Sequence, residues 1–335
     1  MTEDVRGPES GAGPCPAKGS FSPPRGLRNP HVQTILPALI RRAPTGALRR
    51  EVLELPDGDF LDLFWGPPRD GPIALMLHGL GGCHRSPYIV GMARALAARG
   101  WQALIMNYRS AERPNRLPRF YHAGAYGDPQ HVLSVMRARH PGRRVAVVGF
   151  SIGGSIVLNW LARADGPEVP DRAVAISVPF DLALCADHID RGVAKIYQGN
   201  MLRSLKRMVR RKLAVNTDAC PITIAELKRL RSIREFDDRI TAPLHGFRSA
   251  DDYYRRNSCA AVLTRISQPT LIVHSADDPF MPAHGIPDRV SESTHLCVTE
   301  RGGHVGFVAA GYWLEQTIPD FLASAPLREL TAAIR

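Results

Sequence analysis

The sequence contains no apolar run approaching the roughly 20 residues that a bilayer-spanning helix needs. Its N-terminus also lacks a basic region followed by an apolar core, so no secretory signal is expected and the expected location is cytoplasmic. The six cysteines (Cys15, Cys83, Cys185, Cys220, Cys259 and Cys297) form no Cys-x-x-Cys pair and have no zinc-ligand spacing. Neither a disulfide framework nor a metal site is therefore expected. Aromatic residues make up only 7%, with no row of them set among cations for base stacking. That argues against nucleic acid as a partner, despite a net charge of +11. Lysine is scarce too: Lys18, Lys195, Lys206, Lys212 and Lys228 are the only ones. An arginine-dominated excess follows from genome base composition as readily as from a polyanionic partner. Between Gly7 and Pro24 large apolar residues are few, so residues 1–20 read as a disordered tail. Residues 21–335 read as a single domain.

What is present is an alternation of short apolar runs with helical patterns, the mark of a parallel sheet. Strands are expected over Ile73–Leu77, Ala103–Met106, Val145–Val148, Val174–Ser177, Thr270–His274 and Leu296–Thr299. Ahead of them, Arg50–Leu55 and Phe60–Phe64 flank the turn sequence Pro56-Asp-Gly-Asp59, predicting an antiparallel hairpin. Helices are expected over Pro87–Arg99, Gln130–Arg139 and Ile152–Ala164. The alternation breaks from about residue 180 to 265, where a mainly helical stretch reads as a lid inserted after the sixth strand.

The chemistry lies at the strand ends. Gly149-Phe-Ser151-Ile-Gly153 follows an apolar β run and opens a helix, which is the setting of a strained nucleophile elbow with small residues on both sides of the serine. A serine hydroxyl needs an imidazole to take its proton, and the imidazole needs a carboxylate to orient it. Asp277 and Asp278 both lie just past the strand at Thr270, and Asp278 is preferred because Asp-Pro-x-x-Pro is the usual turn around such an acid. Of the 12 histidines, His304 follows the last strand in a Gly302-Gly303 loop that can carry an imidazole over the sheet edge. His274 and His295 lie within or at the start of strands and read as structural. The loop His78-Gly79-Leu80-Gly81 follows the first central strand, so the N–H groups of Leu80 and Ile152 are the candidate oxyanion donors. His78 is read as bracing that loop, and Cys83 as filling it.

These residues, with Asn29-Pro-His-Val-Gln-Thr, Leu55-Pro-Asp-Gly-Asp-Phe, Arg85-Ser-Pro-Tyr, Pro114-Asn-Arg-Leu-Pro-Arg, Asp237-Asp-Arg-Ile-Thr-Ala-Pro and Gly302-Gly-His-Val-Gly-Phe, resemble the YheT-like branch of the α/β-hydrolases. That branch is related to eukaryotic membrane-anchored esterases and phospholipases. The resemblance implies an α/β-hydrolase fold and hydrolysis of short- or medium-chain or lipid-like carboxylic esters, without a cofactor. It differs from the expected pattern at Arg109-Ser-Ala-Glu-Arg and Ala125-Tyr-Gly-Asp128, which touch the pocket rim rather than the catalytic groups. An acyltransferase with the same residues, or a non-catalytic binding protein of this fold, is the alternative. The segment Met201–Leu213 is a basic amphipathic helix pattern, read chiefly as a cap packed on the core and secondarily as a contact for an anionic membrane surface.

Overall fold

The computed structural model describes residues 21–41, 48–164 and 168–324. The expected tail at residues 1–20 lies outside the described residues. One eight-stranded sheet runs through the molecule in the order β1-β2-β4-β3-β5-β6-β7-β8. Its strands are β1 (Arg49–Glu54), β2 (Phe60–Trp65), β3 (Ile73–Leu77), β4 (Gln102–Asn107), β5 (Val145–Phe150), β6 (Arg172–Ile176), β7 (Thr270–Ser275) and β8 (Thr294–Thr299). The β1–β2 and β2–β4 pairs are antiparallel and all the others parallel.

Both faces of the central strands are covered, which is why they read as unbroken apolar runs rather than alternating ones. In β3, Ala74 and Met76 pack on one side with Ile89, Met92 and Leu96 of α2 (Pro87–Ala98) and with Leu314, Ile318 and Phe321 of the C-terminal helix. Ile73, Leu75 and Leu77 face the other side. There they meet α3 (Gly127–Arg139), α4 (Ile152–Arg163) and the helical segment between β6 and β7. Ahead of the sheet, α1 (Pro30–Ile40) is capped by the Asn29 side chain, which accepts from the N–H groups of His31 and Val32.

The segment between β6 and β7 contains α5 (Leu182–Ile189) and α6 (Lys195–Leu213) followed by shorter helical turns. The apolar face of α6, formed by Leu202, Leu205, Met208, Val209 and Leu213, is buried in the core. One basic residue of this amphipathic segment departs from a solvated charged face: Lys212 is fully buried. Its ammonium donates to the carbonyls of Asn115 and Leu117 and to the Asn115 side chain, so the cost of burying a cation is met by hydrogen bonds. Asn115 in turn donates to Asp59, and Asp59 pairs with Arg109 at 3.0 Å. Arg109 also pairs with Asp57 and forks onto both oxygens of Asp128. The Pro-Asp-Gly-Asp turn, the Pro-Asn-Arg motif and both segments that depart from the family pattern are thus one ionic cluster, which anchors α6.

Candidate active site

Four loops at the C-terminal ends of the parallel strands β3, β5, β7 and β8 converge, the usual place for a site in such a sheet. After β5 the chain turns through Ser151, held at φ +54° and ψ −121°, a conformation that a non-glycine residue adopts only under constraint. The constraint comes from close packing of β3, β5 and α4. A Cβ on Gly153 would lie 2.6 Å from the Leu77 carbonyl oxygen, and one on Gly149 would lie 2.4 Å from that of Gly153. Glycine at both positions lets the elbow form, and Ser151 N–H is fixed on the Ile176 carbonyl at 2.8 Å.

Three side chains meet there. Ser151 Oγ is 3.0 Å from His304 Nε2, and His304 Nδ1 is 2.8 Å from Asp278 Oδ2. The other Asp278 oxygen accepts the Phe280 N–H, and the Phe280 ring stacks on the imidazole at 3.9 Å. Asp277 does not reach His304. Its carboxylate accepts the Gly303 N–H at 2.9 Å and so caps the loop that carries the histidine. His274 is fully buried with its Nε2 3.9 Å from Asp278, beyond hydrogen-bond range, and burial pushes its pKa down to about 4. His295 stands near the start of β8, at the far end from the site.

The loop after β3 is built by aromatic residues that the sequence did not single out. Gly79 N–H donates to the Tyr88 hydroxyl and Gly81 N–H to the Tyr121 hydroxyl, each at 2.8 Å. Between them, the Leu80 N–H donates to no protein acceptor among the described residues, and neither does the Ile152 N–H at the start of α4. His78 is buried and bonded through Nδ1 to the Gly79 carbonyl, which braces the loop, and burial lowers its pKa to about 4. Burial also pushes the Cys83 thiol pKa up, which leaves little of the thiolate a nucleophile requires.

The His304 loop is clamped from the start of the chain. Thr34 Oγ1 accepts the His304 N–H at 2.9 Å. Gln33 binds both the N–H and the carbonyl of Val308, at 2.7 and 2.9 Å. A Cβ on Gly303, at φ +59°, would lie 2.5 Å from the Pro30 carbonyl oxygen. No local signal at residues 29–34 points to this role, because their partners are some 270 positions away. The clamp predicts that Thr34→Val, which removes the acceptor, lowers the kcat of a reaction run by this site about tenfold with little change in KM, since misplacement costs rate rather than affinity. Steady-state kinetics would check this, and a rise in KM alone would contradict it.

Ser151 lies where two clefts join. One runs beneath the helical segment and is lined by apolar groups such as Leu182, Ile189, Leu205, Met208 and Phe236. Asp237 also lines it, on a π-helical turn (Asp237–Thr241), with its carboxylate accepting from Thr241 and Tyr254 and its pKa raised to about 6 by burial. The other cleft lies against α1 and is lined by Thr34, Ala38, Arg41, Tyr88 and Met201.

A family model described as the alpha/beta hydrolase fold matches residues 72–309. YheT of Escherichia coli (strain K12) is 40% identical over 321 residues, 92% of this chain and 94% of that protein. Phospholipase ABHD3 of Bos taurus is 29% identical over 303 residues, 85% of this chain and 72% of that one. Among solved structures, the Pyrococcus furiosus esterase Pf2001 superimposes with a TM-score of 0.56 at 15% identity, covering 91% of this chain and 98% of that one, a likeness of fold.

Proposed function

The chain belongs to the α/β-hydrolase family, of the esterase and lipase type, and from that premise we propose that it is a serine carboxylic-ester hydrolase working through an acyl-enzyme on Ser151. The observation that carries the reading is the 3.0 Å contact of Ser151 Oγ with His304 Nε2, backed by Asp278 on the other ring nitrogen, at the mouth of an apolar cleft.

In this reading His304 takes the Ser151 proton as Oγ attacks the ester carbonyl, and the oxyanion rests on the N–H groups of Leu80 and Ile152. Asp278 holds the tautomer that leaves Nε2 free to accept. Collapse of the tetrahedral intermediate breaks the bond to the alcohol, which leaves with the proton from His304. Water, deprotonated by the same imidazole, then releases the acid and restores Ser151. The acyl chain occupies the cleft beneath the helical segment, which acts as a lid, and the alcohol faces α1. The cleft lining favours a chain of medium length or longer. A relative named as a phospholipase is consistent with lipid-like esters as the substrate class.

The test is hydrolysis of p-nitrophenyl esters of increasing acyl length by the intact chain and by Met208→Trp. The expected result is a chain-length optimum that moves at least about two carbons shorter in the variant, because the added ring fills the cleft. An optimum that stays in place would remove the cleft as the acyl site. Absence of turnover by the folded chain on every ester would remove the function.

A further inference from the structure

Nine large apolar side chains are exposed among the described residues, and five of them fall on two adjoining pieces of the chain. Ile35, Leu39 and Ile40 lie on α1, with Leu39 76% exposed. Val193 and Ile196 lie at the entry to α6 and its first turn, with Ile196 64% exposed. The two pieces are tied together, since His31 Nδ1 bonds the Tyr197 hydroxyl at 2.8 Å and the two rings stack. Single exposed aliphatics need no explanation, but a cluster of this kind does.

The cluster sits beside the site. On α1, His31, Ile35 and Leu39 follow one another at four-residue spacing and form one stripe. Thr34 and Ala38, each one residue before a member of that stripe, and Arg41 just past the end of the helix line the cleft that reaches Ser151. The charge around the cluster is predominantly positive. Residues 29–41 contain no acidic side chain, and neither does α6. The exposed stripe of α6 continues from Ile196 into Arg203, Arg207 and Arg210, with Arg191 and Lys195 exposed beside it. Two acids border the cluster: Asp190, which accepts from Gln198 and pairs with Lys195 at 3.8 Å, and Glu315, which pairs with Arg41. The apolar face of α6 itself is buried, so α6 contributes cations and its first turn only.

We propose that this face docks on the surface of an anionic phospholipid bilayer, with Ile35, Leu39, Ile40, Val193 and Ile196 entering the headgroup boundary and the α6 arginines on the headgroup charge. A net excess of positive charge and the absence of exposed aromatic residues in the cluster fit a lipid surface better than a protein partner, whose contact cores are rich in aromatics. Docking in this orientation turns the α1-side cleft towards the lipid. The inference rests on exposure and charge and does not require that the chain hydrolyse esters.

The experiment is flotation of the full chain with vesicles of equal phosphatidylglycerol and phosphatidylcholine, or of phosphatidylcholine alone. The wild type is expected to float with the anionic vesicles, less so at high salt. Leu39→Asp combined with Ile196→Asp should weaken that binding about tenfold or more, at an unchanged thermal midpoint because both sites are solvent-exposed. The uncharged pair Leu39→Gln and Ile196→Gln should weaken it in the same direction, separating lost insertion from added repulsion. Ser151→Ala should float as the wild type does, so failure of docking and failure of the ester-hydrolase reading are told apart. Wild-type protein that stays unbound, variants that bind as the wild type does, or a dimer that the aspartate pair dissolves while vesicles go unbound would each overturn the proposal.

Discussion

Replacing Ser151 with alanine is expected to lower kcat/KM on a p-nitrophenyl ester by about 10⁴-fold or more, because nucleophile and base act as one unit and little remains when either is gone. The fold should survive, since Ser151 is fixed through its backbone N–H and its Oγ contact is with His304. Asp278→Asn should cost about as much, about 10⁴-fold, by presenting an N–H where the imidazole needs an acceptor. Asp277→Asn should cost far less: the amide oxygen can still accept the Gly303 N–H. The contrast between the two neighbouring aspartates is the sharper result. A larger loss at Asp277 than at Asp278 would reverse the assignment of the acid.

Acidification between pH 7 and pH 5 is expected to destabilise the chain, with about 4 kcal/mol of the loss coming from His78 and His274 together. His78 and His274 are fully buried and their pKa values are pushed down to about 4, chiefly by desolvation. Their folded-state values lie below the unfolded value near 6.5, so the stability they contribute is present above about pH 6.5 and is lost as pH falls towards 4. At pH 5 the unfolded state binds a proton at each that the native state refuses, a cost of about 2 kcal/mol per histidine. His122 and His245, less completely buried, act in the same direction. Asp237 opposes them: its raised value means the native state holds a proton between about pH 4 and 6 that the unfolded chain releases. Against a typical total of about 5–15 kcal/mol the net loss is large. Urea midpoints measured from pH 7 to pH 5 should fall steeply, and His274→Asn should flatten the slope; a flat profile for the wild type would contradict the account.

Much of the fold could be read in the sequence because buried parallel strands leave unbroken apolar runs and turn residues punctuate them. The apolar run Ile73–Leu77 coincides with β3 to the residue, whereas β6 begins at Arg172 and β8 at Thr294, polar residues that an apolar-run criterion passes over. Ser151, Asp278 and His304 stood out because each follows a strand, and the structure brings them within hydrogen-bond distance of one another. Tyr88, Tyr121, Gln33 and Thr34 did not stand out. Their hydrogen bonds cross long stretches of chain and leave no local pattern, although Tyr88, Gln33 and Thr34 lie inside motifs that marked the family. The burial of Lys212 leaves no local mark for a related reason: helical spacing puts it beside arginines, and only the ionic cluster around Asp59 and Asn115 explains a buried ammonium. The apolar stripe on α1 is not legible locally, because an eleven-residue helix with aliphatics on most sides resembles a core element until its neighbours are known.

The most direct test of the central claim is mass spectrometry of the intact protein after reaction with a fluorophosphonate, with the adduct mapped by peptide. The account predicts one stoichiometric adduct on Ser151, absent in Ser151→Ala and strongly slowed in His304→Ala. A folded wild-type protein that takes up no label, or that carries it on another residue, would contradict the claim.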